Sequence, residues 1–441
     1  MLEIVGIVVF ALLIAFSIAL HEVGHLAPAK AFGIKVTEYM VGFGPTVWSR
    51  LKGETRYGLK VIPLGGYIRM VGMLPPAPDG TSRSMSTGRF ATMVADARRQ
   101  SLEEVVPGEE DRAFYRHPVH QRMVVMLGGP TMNLLLAFVL FAIVLVGIGI
   151  PQPTTQVDTI AVCTPTLGTD ASGAPVLVYE PLPSGECPTG TTASPASTAG
   201  LRPGDTIVAV DGTAIADWDQ LTDWIRAHPG DTAVLTVDRG GSTVELPITI
   251  ATAERPVVDD QGIATGEYVS AGYLGVAPVM VWVSQPWTSV PASMWDLTVR
   301  SVQALLMLPV RLYELVTHTL IGGGERSPDS PVSVVGVSRL GGDIAAAQQP
   351  LNAKVATFLS LAASLNLFLF LFNLLPILPL DGGHVVSALY EAVRRRLALW
   401  RGRPDPGPFD TAKLLPVAYV VAGVLLLMGV IVIWADLVKP I

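Results

Sequence analysis

The sequence predicts a polytopic α-helical membrane protein with about four transmembrane helices, a membrane-associated β-hairpin and an inserted extracytoplasmic α+β domain. Three observations predict it. Half of the 441 residues are hydrophobic and only 15% are charged, with a mean hydropathy of +0.47, a balance typical of chains whose solvent is lipid. Four apolar segments reach the roughly 20 residues needed to cross a bilayer: about 2–26, 123–150, 354–393 with an interruption, and 414–434. Between the second and third lies a long polar section, 151–354, with its own alternation of strand and turn signals.

The first apolar run, Ile4 to Leu20, ends in His21-Glu22-Val23-Gly24-His25. Histidines four apart share one helix face, where two imidazoles can grip one zinc ion. The intervening Glu22 is then placed as general base on a metal-activated water. HExxH is a short pattern, but ionisable groups at membrane depth are costly and point to a functional site. The run lacks the basic start of a signal peptide, Glu3 being the only charge before His21, and it reads as a retained span.

Charge asymmetry sets the orientation. The loop 50–122 carries 12 Lys and Arg against 8 Asp and Glu, and 394–413 carries 6 against 2. The section 151–354 carries 9 against 21. The positive-inside rule puts the first two in the cytoplasm, with both termini and the acidic section outside. Seventeen residues from Ile4 to Leu20 rise about 26 Å at about 1.5 Å each, so the histidines sit toward the cytoplasmic side. The break at 376–383 in the third span comes to a similar depth. The net charge of −7 argues against a nucleic-acid partner.

Between the first two spans, Tyr57 to Met73 alternates around Pro63 and Gly65-Gly66 and reads as strands or a hairpin. The stretch 75–111 is polar and rich in Gly, Ser and charge, an exposed insertion. His117 and His120 follow in polar sequence and read as solvated.

In the outer section, Ala199 to Asp205 followed by Thr206 to Gly212 reads as a turn, a strand and a tight turn, then a helix over 218–228 and strands over 233–238 and 242–250. GLRPGD followed by a hydrophobic strand and VDG resembles a PDZ domain, a fold that binds peptides by adding a strand at a sheet edge. Cys163 and Cys187 are either a disulfide or two free thiols. The amphipathic pattern of 289–320 fits a helix on the outer membrane surface or one buried in the soluble section.

A catalytic zinc needs a third protein ligand. The best candidate is Asp381, in Asn373-Leu374-Leu375-Pro376-Ile377-Leu378-Pro379-Leu380-Asp381-Gly382-Gly383-His384, where prolines and glycines interrupt the helix. His384 is a rival ligand.

With these motifs in order along the chain, the sequence resembles the site-2 protease family of intramembrane zinc metalloproteases, in its bacterial PDZ-containing form. HExxH is His21 to His25, and the family's NxxPxxxLDG is Asn373 to Gly382. Gly129-Pro130-Thr131-Met132-Asn133 resembles its GPxxN, and Gly42 to Pro45 and Ile62 to Tyr67 resemble segments near its active site. The resemblance implies that His21, His25 and Asp381 hold Zn2+ and that Glu22 activates water. It further implies that Asn373, Asn366, Asn133, Gly65 and Gly66 bind the substrate, the hairpin pairing with unwound substrate backbone. The implied reaction is cleavage of a transmembrane segment in the lipid bilayer. The implied substrate is a single-pass protein such as an anti-sigma factor, already trimmed by a site-1-type protease, and the implied place is the bacterial inner membrane. The alternative is a non-catalytic zinc-binding scaffold that binds peptides. The expected organisation is 1–150 as the first membrane half, 151–193 as an extracytoplasmic insertion, 194–280 as PDZ domain, 281–350 as an amphipathic segment and 351–441 as the second membrane half. A single PDZ match and the unfamiliar segment 152–193 depart from one well-known pattern of two such domains.

Overall fold

A computed structural model of the chain describes residues 1–76, 94, 96, 99, 101, 103–169, 175–178, 187, 191–258, 264–327 and 329–440. It divides into two compact units, 1–148 with 285–441, and 149–284. Most of the expected exposed insertion at 75–111 and much of 152–193 lie outside the described residues.

In the first unit, α1 (Leu2–Ala31) is apolar nearly all round. Val5, Val8, Leu12 and Phe16 are exposed, whereas Phe10 and Ile14 are buried against Ala362. A helix whose outer face is as apolar as its inner one suits a lipid surround. Two long strands follow, β1 (Val36–Lys52) and β2 (Thr55–Met70). Only β2 overlaps the expected hairpin; the polar and apolar residues of β1 do not alternate cleanly. Both strands double over, giving four rows in the order 66–70, 36–41, 55–59, 48–52. The reversal in β1 comes at Gly42 and Gly44, with φ of +93° and +85°, angles that a side chain would strain.

Helix α2 (Val119–Ala142) continues as a wider turn to Ile148. Then come α3 (Ser289–Glu314), α4 (Val334–Ala346), α5 (Leu351–Asn373), α6 (Asp381–Trp400) and α7 (Leu415–Val438). The interruption expected near Pro376 is the loop between α5 and α6. Among the described residues, five helices are long and apolar enough to cross a membrane: 2–31, 119–148, 289–321, 351–373 and 411–438. The count of four expected from sequence omits 289–321, whose charges pair along its own surface, Asp296 with Arg300 and Arg311 with Glu314. Both ends of that helix meet the same end of the bundle. The Gln285 amide donates to the carbonyl of Leu145, near the end of α2. Leu315 packs on Val432 and Ala435, near the end of α7.

That end of the bundle also holds the start of α1, where Gly6 packs on Gly341 of α4. Asp436 of α7 is 3% exposed, pairs with Arg326 at 2.7 Å and accepts from the backbone of Ser333 and Gly336. The opposite end carries the β-rows and the ion pairs Arg112–Glu54, Lys35–Glu109 and Arg122–Glu391. His117 is half-buried there with Nδ1 3.0 Å from Gln121, while His120 is exposed. The solvated reading therefore holds for His120 and fails for His117, which the turn before α2 tucks against the helix.

The second unit has a sheet in the order 276–283, 150–160, 206–210, 232–239, 242–249. A helix, Trp218–Ala227, buries Leu221 and Ile225 in the same core as Ile207, Leu235 and Val237. The tight turn after Val210 is Asp211-Gly212, both with positive φ. Asp205 is buried beside Arg239, which donates from both Nε and a terminal nitrogen at 2.8 and 2.7 Å. Cys163 and Cys187 are joined by a disulfide.

Candidate metal centre

The site is built where α1 and α2 cross. Gly24 and Gly128 face each other so closely that a Cβ on either would collide with the other's carbonyl oxygen, and a Cβ on Gly129 would displace both His21 and His25. Small residues at a helix crossing let two backbones approach. Here they bring α2 against the face of α1 that carries the histidines.

Asp381 opens α6 in its first turn, where the helix dipole favours a carboxylate. Its two following glycines are required by the fold. A Cβ on Gly382 would meet the carbonyls of Leu374 and Leu375, and one on Gly383 would come 2.7 Å from the carbonyl carbon of Ile377. The loop after α5 thus folds back under the start of α6 and lifts Asp381 to the histidines.

Asp381 Oδ2 lies 3.3 Å from Nε2 of His21 and 3.3 Å from Nε2 of His25, and the two Nε2 atoms are 3.2 Å apart. Ligand atoms at the corners of a tetrahedron with zinc–ligand bonds of 2.0–2.1 Å are about 3.3 Å apart. Asp381 Oδ2 is buried with no hydrogen bond, a cost that a cation removes. Nδ1 of His25 lies 2.7 Å from the Val125 carbonyl, which can only accept. The ring therefore carries its proton on Nδ1 and presents a lone pair at Nε2. Two imidazoles and a carboxylate, three ligands with a fourth position open, are the donor set of catalytic zinc. Among the described residues this trio is the group able to hold a metal. His384 is not in it; it lines a separate cavity with Arg122, Met126, Ser387 and Glu391.

Glu22 is 8% exposed and lies against the outer β-row, where a Cβ on Gly66 would come 2.8 Å from its Cγ. Gly65 has a φ of +134° and packs on Phe43. Tyr39 of β1 donates to the Ala19 carbonyl at 2.8 Å, fastening the β-rows to α1 just before the histidines.

The three asparagines fall in different places. Asn373 is half-buried at the end of α5. Asn366 is 0% exposed, and its amide donates to Ser17 Oγ at 3.0 Å and to the Ala362 carbonyl at 2.8 Å. Asn133 is 1% exposed, with its side-chain nitrogen 3.2 Å from His21 Nδ1. Sequence reasoning missed Ser17, Tyr39 and the Val125 carbonyl. All act across long separations, and their types carry no signal of their own.

Comparison with known proteins decides the family. The model of peptidase family M50 matches residues 9–402. The chain belongs to peptidase family M50. The zinc metalloprotease Rip1 of Mycobacterium tuberculosis is 35% identical, over 100% of this chain and 99% of the relative. The zinc metalloprotease RasP of Geobacillus kaustophilus is 26% identical, over 98% of this chain and 97% of the relative. The solved PDZ domain of an SdrC-like protein from Listeria monocytogenes is 23% identical over 20% of this chain and 77% of its own length, with a TM-score of 0.15. This M50 protein is a zinc-dependent metalloendopeptidase of the site-2 protease type, and zinc is its cofactor.

Proposed function

We propose that this M50 enzyme cuts a peptide bond within the transmembrane segment of a membrane protein, with zinc held by His21, His25 and Asp381. The observation that carries the proposal is the 3.2–3.3 Å triangle of Nε2, Nε2 and Oδ2, which joins two histidines four residues apart to an aspartate more than 350 positions away.

Zinc bound there supplies Lewis acidity and makes water a nucleophile at neutral pH. The chain supplies the rest. Glu22, adjacent to the first ligand and shielded from solvent, takes the proton of the attacking water and passes it to the leaving amine. The outer row Gly66–Met70 borders Glu22, and among the described residues one of its edges has no β-partner. An unwound substrate segment adds there as a further strand, which holds the scissile bond extended. That matters because a transmembrane helix keeps its carbonyls in internal hydrogen bonds. Asn373, at the end of α5, is the asparagine placed to meet the substrate backbone.

The reading also gives orientation and partner. The end of the bundle holding the start of α1 and the end of α7 faces outward, and the basic loops at the other end face the cytoplasm. The second unit, 149–284, then stands outside as a PDZ-type module that takes an extended peptide end. The substrate class that suits this arrangement is a single-pass regulator such as an anti-sigma factor, shortened outside the membrane by a first protease.

The test is cleavage of a model transmembrane substrate by the purified protein. Product is expected from the wild type, and none from Glu22→Gln or after chelation. Equal product from wild type and Glu22→Gln overturns the proposal. The scaffold alternative calls for a closed four-ligand site, and the position of His384 outside the ligand group argues against it.

A further inference from the structure

Asn133 matches the family's GPxxN segment, and its side chain is buried beside His21. It is 1% exposed, with its nitrogen 3.2 Å from His21 Nδ1. Its oxygen Oδ1 is buried and has no hydrogen-bond partner. A carboxamide presents a donor and an acceptor in nearly the same shape, so half a turn exchanges them without moving a neighbour.

The chemistry of the ring decides which end belongs at His21. For Nε2 of His21 to offer a lone pair to zinc, the neutral imidazole must keep its proton on Nδ1. His25 does so by donating Nδ1–H to the Val125 carbonyl at 2.7 Å. His21 needs an acceptor in the same role, and the neighbour at its Nδ1 is Asn133. With the amide nitrogen there, two donors would oppose each other and Oδ1 would stay buried and unpaired. With Oδ1 there, the Nδ1 proton and the carboxamide oxygen satisfy each other.

We propose that Asn133 is a positioning residue for the metal centre: its side-chain oxygen accepts the Nδ1 proton of His21 and so fixes the ring form that binds zinc. This deepens the proposed function and rests on its reading of His21, His25 and Asp381 as zinc ligands. Gly129, one turn earlier, is part of the same device, because its missing Cβ lets α2 come close enough for Asn133 to reach the ring.

The test is zinc affinity of the full-length protein in detergent, by competition with a chromogenic chelator. Asn133→Leu removes the acceptor, and its affinity is expected to fall about 10–100-fold, the usual effect of losing a hydrogen bond to a metal-binding histidine. Asn133→Asp keeps size and acceptor but has no amide donor, and it is expected to escape the roughly 10–100-fold loss of the Leu variant. A Leu variant with wild-type affinity, or an Asp variant as weak as Leu, overturns the proposal. If Leu fails to give a cooperative thermal transition, Asn133→Ala carries the same expectation. His21→Ala and Asp381→Asn separate the two layers. If both retain wild-type zinc affinity, the metal site itself is misassigned. If both lose zinc while Asn133→Leu keeps it, only the role of Asn133 fails.

Discussion

Gly24 of α1 and Gly128 of α2 meet backbone to backbone, with no room for a Cβ on either. The contact lies one residue from both His25 and Gly129, so the metal centre and the helix crossing are one structure. Gly128→Val must push the helices apart. Overpacking of this kind costs about 1–3 kcal/mol, read as a lower unfolding temperature in detergent, together with reduced zinc content. A variant with wild-type zinc and wild-type stability contradicts this account.

Zinc should stabilise the fold as well as the reaction. An ion that binds only the folded chain adds about 2.7 kcal/mol at a hundred times its dissociation constant. Chelation is expected to lower the unfolding temperature of the wild type and to leave that of Asp381→Asn unchanged. Equal shifts in both proteins argue that the ion binds elsewhere.

Asn366 and Ser17 clasp α5 to α1 inside the apolar core. Hydrogen bonds between membrane helices couple by about 0.6 kcal/mol on average and up to about 1.7. A double-mutant cycle of Ser17→Ala and Asn366→Ala on thermal stability should give a coupling in that range. Strict additivity removes the clasp.

In the second unit, the Arg239 guanidinium hydrogen-bonded to Asp205 holds its carboxyl below the usual carboxylate range. A depressed folded-state pKa contributes stability that is complete above the unfolded value, about 3.9, and is lost as pH falls through the folded one. The thermal transition of this unit is expected to hold from neutral pH down to about 4 and to drop below it. Asp205→Asn should be less stable at pH 7 and lose less on acidification. A wild type and variant with parallel pH profiles would refute the linkage.

The residues of the candidate metal centre were legible because each carries a local signature: histidines at helical spacing on an apolar run, and an aspartate among helix breakers. The strand β2 showed its alternation around Gly65 and Gly66. What sequence could not show is written in long-range contacts. The doubling of β1 depends on Gly42 and Gly44 reversing the chain within what reads as one segment. The helix at 289–321 hid its apolar character behind charges that pair with one another. The family resemblance implies that Asn133 and Asn366 are substrate contacts, and motif position alone names no neighbour within the fold. Their partners, His21 and Ser17, sit 112 and 349 positions away.

The bond between Cys163 and Cys187 bears on how the polypeptide is threaded through the lipid. Glutathione and thioredoxin keep cytosolic thiols reduced, so a crosslink of this kind persists on the oxidising face. Alkylation of intact cells with and without a reductant thus reads the orientation chemically, with no reporter fused to the chain and no count of charged residues.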